Sequence, residues 1–193
     1  MSHTAQIALL RQRLLRPGSL WFAPQQHIWL QCSPPPTTSV SSSSSTAVAT
    51  TASTTWRVHW GMTEHGMDRL GDITKVTCLV DCKDSKNAFV EQGRELLRVD
   101  WEGYEWTEAD ELYHTVWESV DGVETIASPI TGNLVNVIDP SNDAIIVDED
   151  IAWVEMECNH GDVINTATSW LDQASYHRWV KTLAPSKFSD RAA

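Results

Sequence analysis

Cys78 and Cys82, spaced Cys-x3-Cys, can be drawn with Cys158 and His160 as a metal-binding set, because thiolate and imidazole are the ligands zinc takes. The spacing departs from the Cys-x2-Cys knuckle, and along one strand the two cysteines stand about 13 Å apart. They read as ordinary core thiols, with no metal expected. His65, in TEHGMD, has no Cys or Ser nucleophile paired with it. Asp110, Glu111 and Glu118 are carboxylates on strand-like runs, which suits a solvated face better than an acid–base pair. No glycine-rich phosphate loop or dinucleotide fingerprint occurs. These residues assemble no catalytic constellation, so the chain reads as a protein that is not an enzyme.

The sharpest local signal is the stretch VWESVDGVETIASPITG at 116–132. Alternating runs flank Asp121-Gly122, a dipeptide suited to the type I′ turn, where both central residues need positive φ. A tight hairpin with Asp121 at its tip is predicted. Glu102-Gly103, between two further alternating runs, predicts a second.

Charge is divided unevenly along the 193 residues. Residues 1–63 contain no Asp or Glu, and Arg11, Arg13 and Arg16 are the only Lys or Arg before Trp56. From Trp56 onward 11 basic residues face 26 acidic ones, a net of −15. A body this acidic repels phosphate backbones and anionic membranes, and suits either basic protein partners or a plain self-repelling surface. Eight of the ten Trp lie in it, enough apolar surface for a core. The four Cys show no disulfide-framework spacing and read as reduced thiols.

In MSHTAQIALLRQRLLRPG, residues Ile7, Leu10 and Leu14 share a helical face, and Pro17-Gly18 ends the helix. From Thr37 to Thr55, 14 of 19 residues are Ser or Thr. Arg-bearing, Ser-rich and acid-free, residues 1–55 read as an organellar transit peptide plus linker, for the mitochondrial matrix or alternatively the plastid. No membrane span is expected.

One folded domain is then expected at 56–185, with a tail at 186–193. WRVHWGM reads as a strand, and Thr63 as the cap of a short helix stopped by Gly71. ITKVTCLV, NLVNVI and IAWVEMEC read as strands, residues 81–93 as a polar loop, and Pro129–Gly132 as a turn. Asp162 is predicted to cap a helix through VINTATSWL, and QASYHRWVKTL to form another. The class is mainly β, antiparallel, with short helices at the edge and C-terminus.

Taken together, GMTEHGMDRLGDITKV, WESVDGVETIASPITGNLVNVID, WVEMEC and the two C-terminal helical stretches resemble the glycine cleavage system H-protein family over about residues 56–183. The resemblance implies a lipoyl-domain-like β sandwich (a barrel-sandwich hybrid). It also implies a lysine-borne lipoyl arm that visits the decarboxylase, the aminomethyltransferase and the dihydrolipoyl dehydrogenase. It places that lysine after Glu118-Ser119-Val120, with Gly132 following the hairpin, where this chain carries Asp121. Lys75, Lys83, Lys86, Lys181 and Lys187 all lie more than 30 residues away in sequence. A carboxylate cannot form the lipoyl amide, so no lipoate and no other cofactor is expected. The stretch at about 81–106, with Trp101 and Trp106, runs longer than in the family and reads as an insertion. The expectation is a non-lipoylated, non-catalytic relative that partners the glycine cleavage or lipoylation machinery. The alternative is the same fold recruited as a structural subunit of another organellar assembly.

Overall fold

The computed structural model describes residues 19–34, 55–80, 88–107, 116–138 and 151–183. It is mainly β, with two antiparallel sheets and three short helices. The larger sheet has the order β10-β1-β2-β3-β9-β8-β5. These strands are β1 (Leu20–Ala23), β2 (Ile28–Ser33), β3 (Thr55–Met62), β5 (Phe89–Val90), β8 (Gly132–Val137), β9 (Val154–Asn159) and β10 (Leu171–Asp172). The smaller sheet has the order β4-β6-β7, from β4 (Asp72–Cys78), β6 (Glu95–Thr107) and β7 (Val116–Ala127).

Both sheets feed one buried cluster. The larger contributes Ile28, Leu30, Val58, Trp60 and Met156, and the smaller Val76, Leu97, Val99 and Ile126. In β3 the alternation expected from the sequence holds, with Trp56, Val58 and Trp60 inward and Arg57 outward against Glu155 and Glu157. A bulge between Glu95 and Leu97 adds a residue to β6, and both Leu96 and Leu97 are fully buried. Helix α1 (Glu64–Leu70) starts where expected, with Thr63 Oγ1 accepting from Gly66 N at 3.2 Å. Gly71 ends it at φ +82°, and a Cβ there would lie 2.6 Å from the Glu102 carbonyl oxygen. Among the described residues no helix is long and apolar enough to cross a membrane.

Three expectations are corrected. First, the domain does not begin at Trp56, because β1 and β2 lie inside the large sheet. Ile28 to Ser33 pair in register with Met62 to Arg57. One side of this pair (Trp21, Ala23, Ile28, Leu30) enters the main core, and Phe22 and Trp29 pack with Tyr176 on the other. A pair buried on both faces shows no polar alternation, so it reads as part of the tail.

Second, neither predicted hairpin turn forms. β6 and β7 run antiparallel in continuous register from Leu97↔Ile126 to Thr107↔Val116, placing Asp121 opposite Glu102 and Gly122 opposite Trp101. Positive φ occurs among the described residues only at His27, Gly71 and Gly93, so Asp121-Gly122 is not a I′ turn. Ladder hydrogen bonds and cross-strand contacts along a dozen pairs outweigh one local turn preference.

The segment read as an insertion contributes to the core, with Val90, Leu96, Leu97 and Val99 fully buried. Third, Asp162 is not a cap. Helix α2 (His160–Ala167) starts from Asn159, and Asp162 sits inside its first turn, accepting from Asn159 Nδ2 at 3.4 Å. Residues 1–18, the Ser/Thr stretch at 35–54, Cys82, Lys83, Lys86, Asp110, Glu111, Lys187, residues 139–150 and residues 186–193 lie outside the described residues, as do the side chains of Trp106 and Glu118.

Trp101 packs against the core, and a Cβ on Gly122 would collide with its ring. Gly122→Val is therefore expected to push the indole off the sheet and destabilise the chain by about 1–3 kcal/mol, as overpacking does. A lowered denaturation midpoint checks this, and an unchanged midpoint would contradict the stacked geometry.

Candidate functional site

The residues that sequence reasoning groups around a hairpin are spread over two sheets. Ser119, Val120 and Asp121 lie along β7, with Ser119 and Asp121 exposed and Val120 half-buried. Glu118 pairs with Glu105 in the ribbon backbone. Gly132 starts β8 in the other sheet and is buried; a Cβ there would reach Cys158 Sγ at 2.6 Å. The register aligns Asp72, Glu102 and Asp121 in one row across the small sheet, all exposed. Three like charges opposite one another weaken a sheet. Lys75, as its sequence context suggests, is mid-strand, opposite Asp100.

Of the drawn metal set, the described members Cys78, Cys158 and His160 form no ligand group. Cys78 is half-buried, with its thiol donating to the Val80 carbonyl at 3.2 Å. Cys158 is buried in the core, where burial pushes its thiol up to about 12, while His160 stacks on Trp56 at 5.3 Å between ring centroids. Among the described residues no group of three or more His, Cys, Asp or Glu is arranged to hold a metal ion.

A polar network forms instead where β1–β2, α1 and helix α3 (Gln173–Val180) meet. A 3-10 turn, Pro24–Gln26, ends at His27, which takes a left-handed conformation at φ 51°, ψ 43°. Its carbonyl accepts from Thr63 N at 2.8 Å, tying the β1–β2 turn to the start of α1. Asp172 caps α3 by accepting from Ser175 N at 2.8 Å, which orients Tyr176 inward. Tyr176 Oη lies 2.8 Å from Thr63 Oγ1 and 3.2 Å from His27 Nδ1. Thr63 already accepts from Gly66, so its proton can go to Tyr176 and the phenol proton to His27 Nδ1, a pattern that satisfies all three groups.

Aromatic contacts close the network. Phe22 stacks on Tyr176 at 4.5 Å, His65 meets His27 edge-on at 4.9 Å, and Trp179 lies 5.4 Å from His27. Burial, then the positive charges of His65 and Arg69, lower His27 to about 4. Burial raises Tyr176 above the ordinary phenol value, against the opposing hydrogen bond to Thr63. With His27 uncharged near neutral pH, the trio ties the β1–β2 turn, α1 and α3 together through neutral hydrogen bonds.

Beside the network lies a cleft of about 750 Å³. Phe22, Trp29, Tyr176 and Val180 supply apolar lining, and Glu64 and Asp68 are exposed carboxylates at its edge. His65 also lines it, with Nε2 buried and unpartnered among the described residues. Sequence reasoning singled out His65 and Thr63 but missed His27 and Tyr176, which are 149 positions apart and share no local motif. No family model, no curated protein and no solved structure matches the chain.

Proposed function

We propose that this chain is an H-protein-like binding module without a lipoyl arm, a non-catalytic partner of the glycine cleavage or lipoylation machinery in the mitochondrial matrix. Its two antiparallel sheets around a shared core suit a lipoyl-domain-like sandwich. The observation that carries the reading is Asp121: the residue where the resemblance calls for a lysine is a carboxylate, mid-strand and opposite Glu102. The acidic body gives such a module a surface for basic protein partners, the decarboxylase, aminomethyltransferase and dihydrolipoyl dehydrogenase among the candidates.

Intact mass of the protein from its own organelle tests this. The unmodified mass is expected, and an added lipoyl group on any lysine would restore the carrier role. Asp121→Lys sharpens the test. Incubated with a lipoyl ligase and lipoate, it is expected to stay unmodified, because a strand interior does not present the side chain as a tip does. It should also be more stable by about 0.2–1 kcal/mol, since a like-charge row becomes an opposite-charge one. Efficient lipoylation of the variant would put residue 121 at a tip and overturn the register.

A second reading, recruitment of the fold as a structural subunit of another organellar assembly, is favoured by the long β6–β7 ribbon where the resemblance calls for a short lipoyl hairpin. Co-fractionation of the native protein with a complex lacking glycine cleavage components would decide for it.

A further inference from the structure

Among the described residues, three of the four sheet edges offer little to a further strand. β10 and β5, at the ends of the larger sheet, are two residues long, and β4, at one side of the smaller, is bulged between Ile73 and Lys75. β7 is the exception. It is 12 residues long, pairs with β6 without interruption from Ile126 to Val116, and has no neighbour on its other side among the described residues. Alternate residues of such a strand turn their backbone N–H and C=O groups outward, where they have no ladder partner.

The charges on this edge select among partners. β7 carries Glu118, Asp121 and Glu124 and no Lys or Arg, and Asp121 and Glu124 are exposed. Spaced by three, these residues are symmetric about Asp121. A two-fold antiparallel pairing with a second copy, centred there, sets Asp121 against Asp121 and Glu118 against Glu124. Parallel pairing in register sets each residue against itself. Like charges directly opposite one another are destabilising, so the edge disfavours its own copy. The row Asp72, Glu102, Asp121 also runs out at this edge, so its next member belongs to an incoming strand. Val123, 52% exposed, offers that strand an apolar contact on the Asp121 face.

We propose that the open edge of β7 receives an extended, basic segment of a partner protein as a fourth strand of the small sheet. Main-chain hydrogen bonds supply the pairing, and the carboxylates supply the selection. Paired antiparallel, the segment needs Lys or Arg opposite Glu124, Asp121 and Glu118, and an apolar residue opposite Val123. Its sequence pattern is therefore basic, apolar, any, basic, any, any, basic. The inference rests on the binding-module reading and deepens it, naming the surface and the chemistry of the partner. The two fail separately, because the mass of the native protein tests the missing arm and strand addition tests the edge.

The end-blocked peptide Lys-Val-Thr-Lys-Thr-Thr-Lys, titrated into the full chain and followed by backbone amide NMR shifts, tests this. Saturable shifts centred on residues 119–125 are expected. Two N-methylated forms of the peptide, one methylated at its odd and one at its even positions, keep the charge but each block one set of N–H groups. One form is expected to bind like the parent and the other about tenfold more weakly, because only one set faces β7. Asp121→Lys, which the charge row predicts to be no less stable, should bind the parent peptide about fivefold more weakly. Equal binding of the two methylated forms would show that the acidic body attracts cations without pairing, and would overturn the proposal. Shifts centred elsewhere, or none at about 1 mM peptide, would also overturn it. So would a dimer of the protein alone paired through β7, because a second copy would then hold the edge.

Discussion

A chain shortened to begin at Trp56, the boundary that composition suggests, is expected not to fold. β1 and β2 bury Trp21, Phe22, Ala23, Ile28, Trp29, Leu30 and Cys32, with Ile28 and Leu30 fully enclosed. At about 1.5–3 kcal/mol per large apolar side chain, five of these contribute on the order of 10 kcal/mol, comparable with the whole stability of an ordinary domain. Their loss also uncovers the edge of β3 and the Trp60–Met156 contact beneath it. Circular dichroism and a denaturation curve on the shortened chain should show no cooperative transition, while a chain beginning at Ser19 should show one. A near-native transition in the shorter chain would mean that β1 and β2 are dispensable. Any import cleavage compatible with this fold must lie before Leu20, which the mature N-terminus checks directly.

Stability should fall as pH drops from about 6.5 towards 4, and His27 should account for about 3 kcal/mol of the loss. The folded chain holds this imidazole near 4 through burial and the nearby positive charges of His65 and Arg69, against 6.5 for an ordinary histidine. A group with a lowered pKa favours folding in its neutral form. The contribution is therefore complete above pH 6.5 and gone once pH is below about 4, at about 1.4 kcal/mol per unit of difference. His27→Asn provides the comparison: asparagine tolerates the left-handed backbone and keeps a short acceptor towards Tyr176, but does not titrate. Urea midpoints between pH 7 and 4.5 should converge for the two proteins as pH falls, once carboxylate protonation common to both is subtracted. Parallel curves would show that His27 is not the titrating group.

The sequence alone determined what depends on neighbours a few residues apart. The α1 helix was readable because Thr63 caps it by bonding three residues ahead and Gly71 supplies the positive φ that ends it. The inward face of β3 was readable because Trp56, Val58 and Trp60 recur at a spacing of two. The acidic body is likewise a fact of the chain itself. The tertiary structure decided whatever depends on distant partners. Asp121-Gly122 is a turn signal only while its flanks are free to pair with each other; β6, over a dozen residues long, pairs with both flanks at once and straightens them. The β1–β2 pair looks like part of a leader until β3 pairs along its edge and the main core and α3 cover its two faces. His27 and Tyr176 become one network only when α3 closes over the β1–β2 turn, because a hydrogen bond between groups 149 residues apart leaves no periodicity or spacing for a sequence to display.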